Sequence, residues 1–137
     1  MVVDLIEEGY LEGKDLNCAE SILYAANEAY DMDLSKKCLI LSAGFGGGMG
    51  IEAICGALSG SVMTIGYLFV EDRAHASEVY DLGEDFLNRF ERKMGSLDCG
   101  PLKEQYRTED DSCYPVILSA AEVLDEFISE HSGQRVR

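Results

Sequence analysis

Apolar residues recur at spacings of three and four along most of the chain, the period of an α-helix that turns one face inward. In the C-terminal segment Val116, Ile117, Ala120, Val123, Leu124, Phe127 and Ile128 fall on one stripe, with Glu122, Asp125, Glu126 and Glu130 on the other side. Upstream, Val79, Leu82, Phe86, Leu87, Phe90 and Met94 repeat in the same way, and Gly95 stands where a helix-ending glycine is expected. Asn17, followed three residues later by Glu20, matches a capping box. Ala19, Ile22, Leu23, Ala26 and Tyr30 then predict a helix over about 18–31. Segments 3–11 and 35–43 predict shorter helices, the second opening at Ser35. No alternating strand pattern, internal repeat or low-complexity tract breaks the series.

The centre of the chain differs in kind. Gly44-Phe45-Gly46-Gly47-Gly48-Met49-Gly50 is followed by an uncharged run from Ala53 to Val70. The run is at the lower edge of the length that crosses a bilayer. However, Gly56, Ser59, Gly60, Ser61, Thr64 and Gly66 dilute its hydrophobicity, and its flanks, Glu52 and Glu71-Asp72, offer no positive anchors. A helix surrounded by its neighbours explains the run better than a membrane span. Between Gly95 and Pro115, Gly100-Pro101 and the cluster Glu109-Asp110-Asp111 carry turn signals without sustained periodicity, so this stretch reads as a long loop. Long loops inside a compact domain are usually functional. The expectation is an all-α, single-domain helical bundle over residues 1–137, built around a central Gly/Ala-rich buried helix.

Composition fits one domain: 47% of 137 residues are hydrophobic, enough to form a core without a metal or disulfide. Eleven basic against 26 acidic residues give a net charge of -15, which repels nucleic-acid phosphates and anionic lipid. The start, Met1-Val2-Val3-Asp4-Leu5-Ile6-Glu7-Glu8, lacks the basic and apolar regions of a secretory signal, which sets a cytoplasmic location as the expectation. In a reducing compartment five cysteines read as thiols, metal ligands or cycling redox groups rather than permanent crosslinks.

Thiolate is the reactive form of cysteine, and the partial positive charge of a helix N-terminus favours it. Cys18 directly follows the Asn17 cap, and Cys113 precedes Tyr114-Pro115, where proline marks a first helical turn. Both are expected to be activated. Cys55 falls within the first turns of the central helix, with Glu52 able to oppose its ionisation. Cys38, in Lys36-Lys37-Cys38-Leu39-Ile40-Leu41, is expected to be a core residue. Gly56 and Gly60, four apart, allow a close backbone approach, by a neighbouring helix or by a ligand. Gly46, Gly47 and Gly48 form a turn able to admit a ligand or anion at a helix start. Gly48-x-Gly50-x-x-Ala53 is not a dinucleotide fingerprint, since no strand precedes it, and no lysine follows to make a P-loop. His75 and His131 are expected to be solvated.

Asn17-Cys18-Ala19-Glu20, the 44–50 glycine segment, the Cys55–Gly60 element, Cys99 and Cys113 together resemble the C_GCAxxG_C_C family of small redox-active proteins, named for four cysteines and a Cys-Gly-Ala-x-x-Gly element. The resemblance runs from about residue 15 to the final helix. It implies a redox role for Cys18, Cys55, Cys99 and Cys113, gives none to Cys38, and implies a redox partner protein or a transporter or oxidoreductase system as partner. Three function classes follow. The first is dithiol/disulfide exchange or electron transfer by the four cysteines, whose three possible pairings the sequence leaves open. The second is a zinc ion or iron–sulfur cluster on the same four thiolates, although the close cysteine pair usual in such sites is missing. The third is an acidic helical interaction module, with homo-oligomerisation possible through the glycine-rich helix. All chemical readings require the four thiols to meet in space.

Overall fold

A computed structural model describes residues 1–137 as seven α-helices without a β-sheet: α1 (Val2–Glu7), α2 (Cys18–Ala29), α3 (Lys36–Ile40), α4 (Gly56–Phe69), α5 (Val79–Met94), α6 (Cys99–Tyr106) and α7 (Tyr114–Glu130). The all-α expectation holds. No helix is long and apolar enough to cross a membrane.

The central helix is as the pattern required. No residue of α4 is exposed, and it packs against α2, α5 and α7. Its hydroxyls are buried without loss, because Ser61 Oγ donates to the Ala57 carbonyl at 2.8 Å and Thr64 Oγ1 to the Gly60 carbonyl at 3.0 Å. At its far end the Arg137 guanidinium donates to the carbonyls of Tyr67 (2.8 Å) and Val70 (2.6 Å), so a cation meets the negative end of the helix. Its tightest partner is α2. A Cβ on Gly60 would stand 2.6 Å from the Ala19 carbonyl oxygen and 3.2 Å from Ile22 Cβ, and one on Gly56 would stand 2.8 Å from the Phe45 carbonyl oxygen and 3.3 Å from the Ala19 nitrogen. The two glycines therefore let α4 lie against α2 at backbone distance, directly beside Cys18.

Phe86, Phe90 and Phe127 are fully buried and join α5 to α7. The Phe86 and Phe127 rings meet edge to face at 6.1 Å, as their quadrupoles favour. Across the top of this pair Arg89, only 18% exposed, bridges Asp85, Glu126 and Glu130.

Several local expectations are corrected. Asp125 is not on the solvent side of α7. It is 4% exposed and accepts hydrogen bonds from Val2 N (3.0 Å), Val3 N (2.8 Å) and Tyr30 Oη (2.6 Å), capping α1 across the fold. His131 is partly buried, its ring tilted against Phe127 at 4.4 Å and 3.1 Å from Asp85, whereas His75 is exposed as expected. Cys38 is exposed rather than core: α3 has only five residues and turns only Leu39 inward. The stretch expected as one long loop contains α6, because Pro101 occupies its first turn, where a missing N–H costs no intrahelical bond.

Candidate functional site

Each of the four motif cysteines sits at the start of a different helix. Cys18 is the first residue of α2, Cys99 the first residue of α6, and Cys55 and Cys113 occupy the capping positions of α4 and α7. Helix starts direct unpaired backbone N–H groups and a partial positive charge toward the adjacent side chain.

Local interactions fix each start. Asn17 closes the expected capping box: its Oδ1 accepts from Glu20 N at 3.0 Å, and Glu20 Oε1 accepts from Asn17 N at 3.0 Å. Asn17 Nδ2 also donates to the Ala43 carbonyl at 2.8 Å, fastening the turn before the glycine segment to the start of α2. Gly46 packs directly on the Asn17 side chain, leaving no room for a Cβ. Gly47, Gly48, Met49 and Gly50 then have φ of 62°, 61°, 58° and 75°. Such a left-handed run is open to glycine at little cost, and only Met49 adopts it with a side chain. It returns the chain to Ala53, whose nitrogen bonds the Gly48 carbonyl at 3.1 Å.

The chain next makes a single antiparallel bridge between Ile54 and Asp98. Cys55 N donates to the Leu97 carbonyl at 2.8 Å, and Cys99 N to the Ala53 carbonyl at 2.6 Å. Because alternate residues of a strand share a face, this register turns Cys55 and Cys99 to the same side. A second small bridge, Thr108 with Ser112, folds the acidic turn back and delivers Cys113 to the start of α7.

Three of the four cysteines, Cys18, Cys99 and Cys113, line one cleft of about 410 Å³, together with Leu11, Leu16, Asn17, Gly47, Lys103, Arg107 and Tyr114. Cys55 is not in its wall; it is 4% exposed and lies within the core. Burial pushes the Cys55 thiol up to about 12, opposed by the N–H groups of Ala57 and Leu58 at the start of α4 and reinforced by Cys18 and Cys99. Burial also raises Cys99 and Cys113, and in both the next cause is the charge of Cys18. Cys18 is thus within electrostatic reach of all three others. For Cys113 the rise runs against the expectation of activation, and burial is its largest cause. Glu52 raises Cys99, not Cys55 as the sequence suggested, while Lys103 and Arg107 favour the thiolates of Cys99 and Cys113.

The glycines divide. Gly60 faces α2, Gly56 faces the Phe45–Gly46 backbone and the start of α2, Gly46 faces Asn17, and Gly48 faces the Ala53 backbone, so a Cβ on any of these would meet protein atoms. Gly47 alone of the five borders the cleft. No group of three or more His, Cys, Asp or Glu side chains is gathered closely enough to hold a metal ion, so the four thiols are not a ready tetrahedral ligand set. All five cysteines are free thiols. The sequence did not single out Lys103 or Arg107. Their spacing from Cys99, four and eight residues, becomes visible only once α6 is recognised as a helix.

No curated protein and no solved structure matches the chain. A family model matches residues 16–127, spanning all four helix-start cysteines and the Cys55–Gly60 element. The chain therefore belongs to the family described as "Putative redox-active protein (C_GCAxxG_C_C)".

Proposed function

We propose that the protein is a thiol oxidoreductase carrying out dithiol/disulfide exchange in the cytoplasm at the Cys18–Cys99–Cys113 cleft. The observation that carries this reading is the presence of three cysteines from three helix starts in one solvent-open cleft. Partial exposure and the capped start of α2 make Cys18 the attacking thiol. Its thiolate attacks a disulfide sulfur, expels one thiolate that takes up a proton, and forms a mixed disulfide. Cys99 or Cys113 then attacks the Cys18 sulfur and releases the second thiol, leaving an intramolecular disulfide. Two protein thiols are oxidised and one substrate disulfide is reduced. A dithiol on a partner protein returns the site to its reduced state by the reverse exchange. Cys55, buried and strongly disfavoured as a thiolate, stands outside the cleft in which exchange takes place.

Equilibration of the full chain in dithiothreitol redox buffers, followed by counting alkylated thiols by mass, tests the reading. The expected result is the loss of two thiols together in a single two-electron transition, absent from Cys18→Ser. Retention of all four as free thiols across the range of biological potentials would overturn it.

A further inference from the structure

Cys99, Lys103 and Arg107 are spaced by four along α6 and its end, and all three line the same cleft. At 1.5 Å rise per residue the Lys103 backbone stands about 6 Å along the helix from Cys99, and Arg107 follows just past the helix end. Asp111 is the one other charged residue in the lining, so two cations face one carboxylate there, in a chain of net charge -15. Lys103 meets Glu52 at 3.1 Å in a pair that is 37% and 54% exposed, which a competing anion can exchange. Arg107 is exposed and forms no ion pair or side-chain hydrogen bond within the protein. Arg107 also borders a second groove, of about 350 Å³, lined by Lys103, Thr108, Glu109 and Ser112.

From this arrangement we infer that the substrate is a small anionic disulfide or thiol, whose carboxylates are held by Lys103 and Arg107 while its sulfur faces the cleft cysteines. This inference rests on the exchange reading and names its substrate class. A carboxylate pairs with a guanidinium through two parallel hydrogen bonds, which fixes orientation as well as charge. Elsewhere the acidic surface repels anions, so a cationic lining is needed to bring such a substrate to the thiols and serves no neutral one. A cleft of about 410 Å³ is sized for a small molecule. In the balanced reaction two cleft thiols and one anionic disulfide give one protein disulfide and two anionic thiols, with both protons carried to the released thiols.

Three disulfides of closely matched length test the inference on the reduced full chain: dithiodipropionate (anionic), 2-hydroxyethyl disulfide (neutral) and cystamine (cationic). The expected result at low salt is an anionic-to-neutral rate ratio of about ten, the low end of electrostatic steering. It should fall toward one as salt rises to about 0.5 M, where screening acts within a few Å. Arg107→Gln should bring the ratio to near one at low salt, and Arg107→Lys should retain part of it. Faster reaction with cystamine than with dithiodipropionate, or an unchanged ratio in Arg107→Gln, would overturn the inference and leave the exchange reading standing. Failure of all three disulfides to react would overturn both.

Discussion

Replacing Gly60 by alanine tests the contact that holds α4 against α2, one residue from Cys18. In a helix interior, glycine to alanine ordinarily stabilises by about 0.5–1 kcal/mol through the entropy of the unfolded chain. At Gly60 that gain is outweighed, because the new Cβ would stand 2.6 Å from the Ala19 carbonyl oxygen and 3.2 Å from Ile22 Cβ. Both obstacles belong to α2, and the first is backbone, so relief requires the two helices to separate. Overpacking of this kind costs about 1–3 kcal/mol, leaving a net loss of up to about 2.5 kcal/mol after the propensity gain. Gly66 lies on the same helix, and its Cβ would meet nothing within 4 Å. Gly66→Ala should therefore stabilise by about 0.5–1 kcal/mol, opposite in sign to Gly60→Ala. Urea unfolding followed by circular dichroism reads both, and the melting temperatures should move in opposite directions by a few degrees, about 3–5 °C per kcal/mol for a chain of this size. If Gly60→Ala stabilises as much as Gly66→Ala, the α2–α4 backbone contact is not as described.

Other outcomes follow from single interactions. Asn17→Ala should cost about 1–2 kcal/mol by removing the α2 cap, and Asn17→Asp should recover most of it while losing the bond to Ala43; thermal melts of the two variants check this. Asp125→Ala should cost about 1–3 kcal/mol, since the Val2 and Val3 N–H groups lose their acceptor, and hydrogen exchange should quicken first in α1. The Cys55 thiol is raised from an unfolded value near 9 to about 12, so the folded state holds its proton more tightly. Its contribution to stability is complete below pH 9 and is lost as pH rises from 9 through 12. Urea midpoints measured from pH 7 to 10.5 should fall above 9, and less steeply in Cys55→Ala. An equal slope in the variant would refute the assignment. Alkylation by iodoacetamide at pH 8 should label Cys38 before Cys55, following their exposure.

Much of this fold is written in apolar periodicity. The stripes of α5 and α7 and the capping box of α2 are local signals, and the structure places all three with boundaries within about two residues of expectation. The convergence of cysteines is only half local. Their helix-start positions at Cys18 and Cys113 could be read from a cap and a proline, but the Ile54–Asp98 bridge that orients Cys55 and Cys99 joins residues 44 apart and leaves no periodic trace. Gly100-Pro101 was misleading because proline signals a turn and a first helical turn equally well. Asp125 is invisible as a buried group because its partners, the first amides of the chain, lie 122 and 123 residues away. Cys38 shows the opposite failure: cysteine and leucine neighbours suggest a core, yet a five-residue helix has room to bury only one of them.

Mapping the disulfide that forms in the intact chain tests the convergence of thiols most directly. The fully reduced protein is oxidised at low concentration, free thiols are blocked, and the crosslinked peptides are identified by mass spectrometry. The account predicts an intramolecular bond from Cys18 to Cys99 or Cys113, with Cys38 left free. A dominant bond involving Cys38, or crosslinks between chains only, would contradict it.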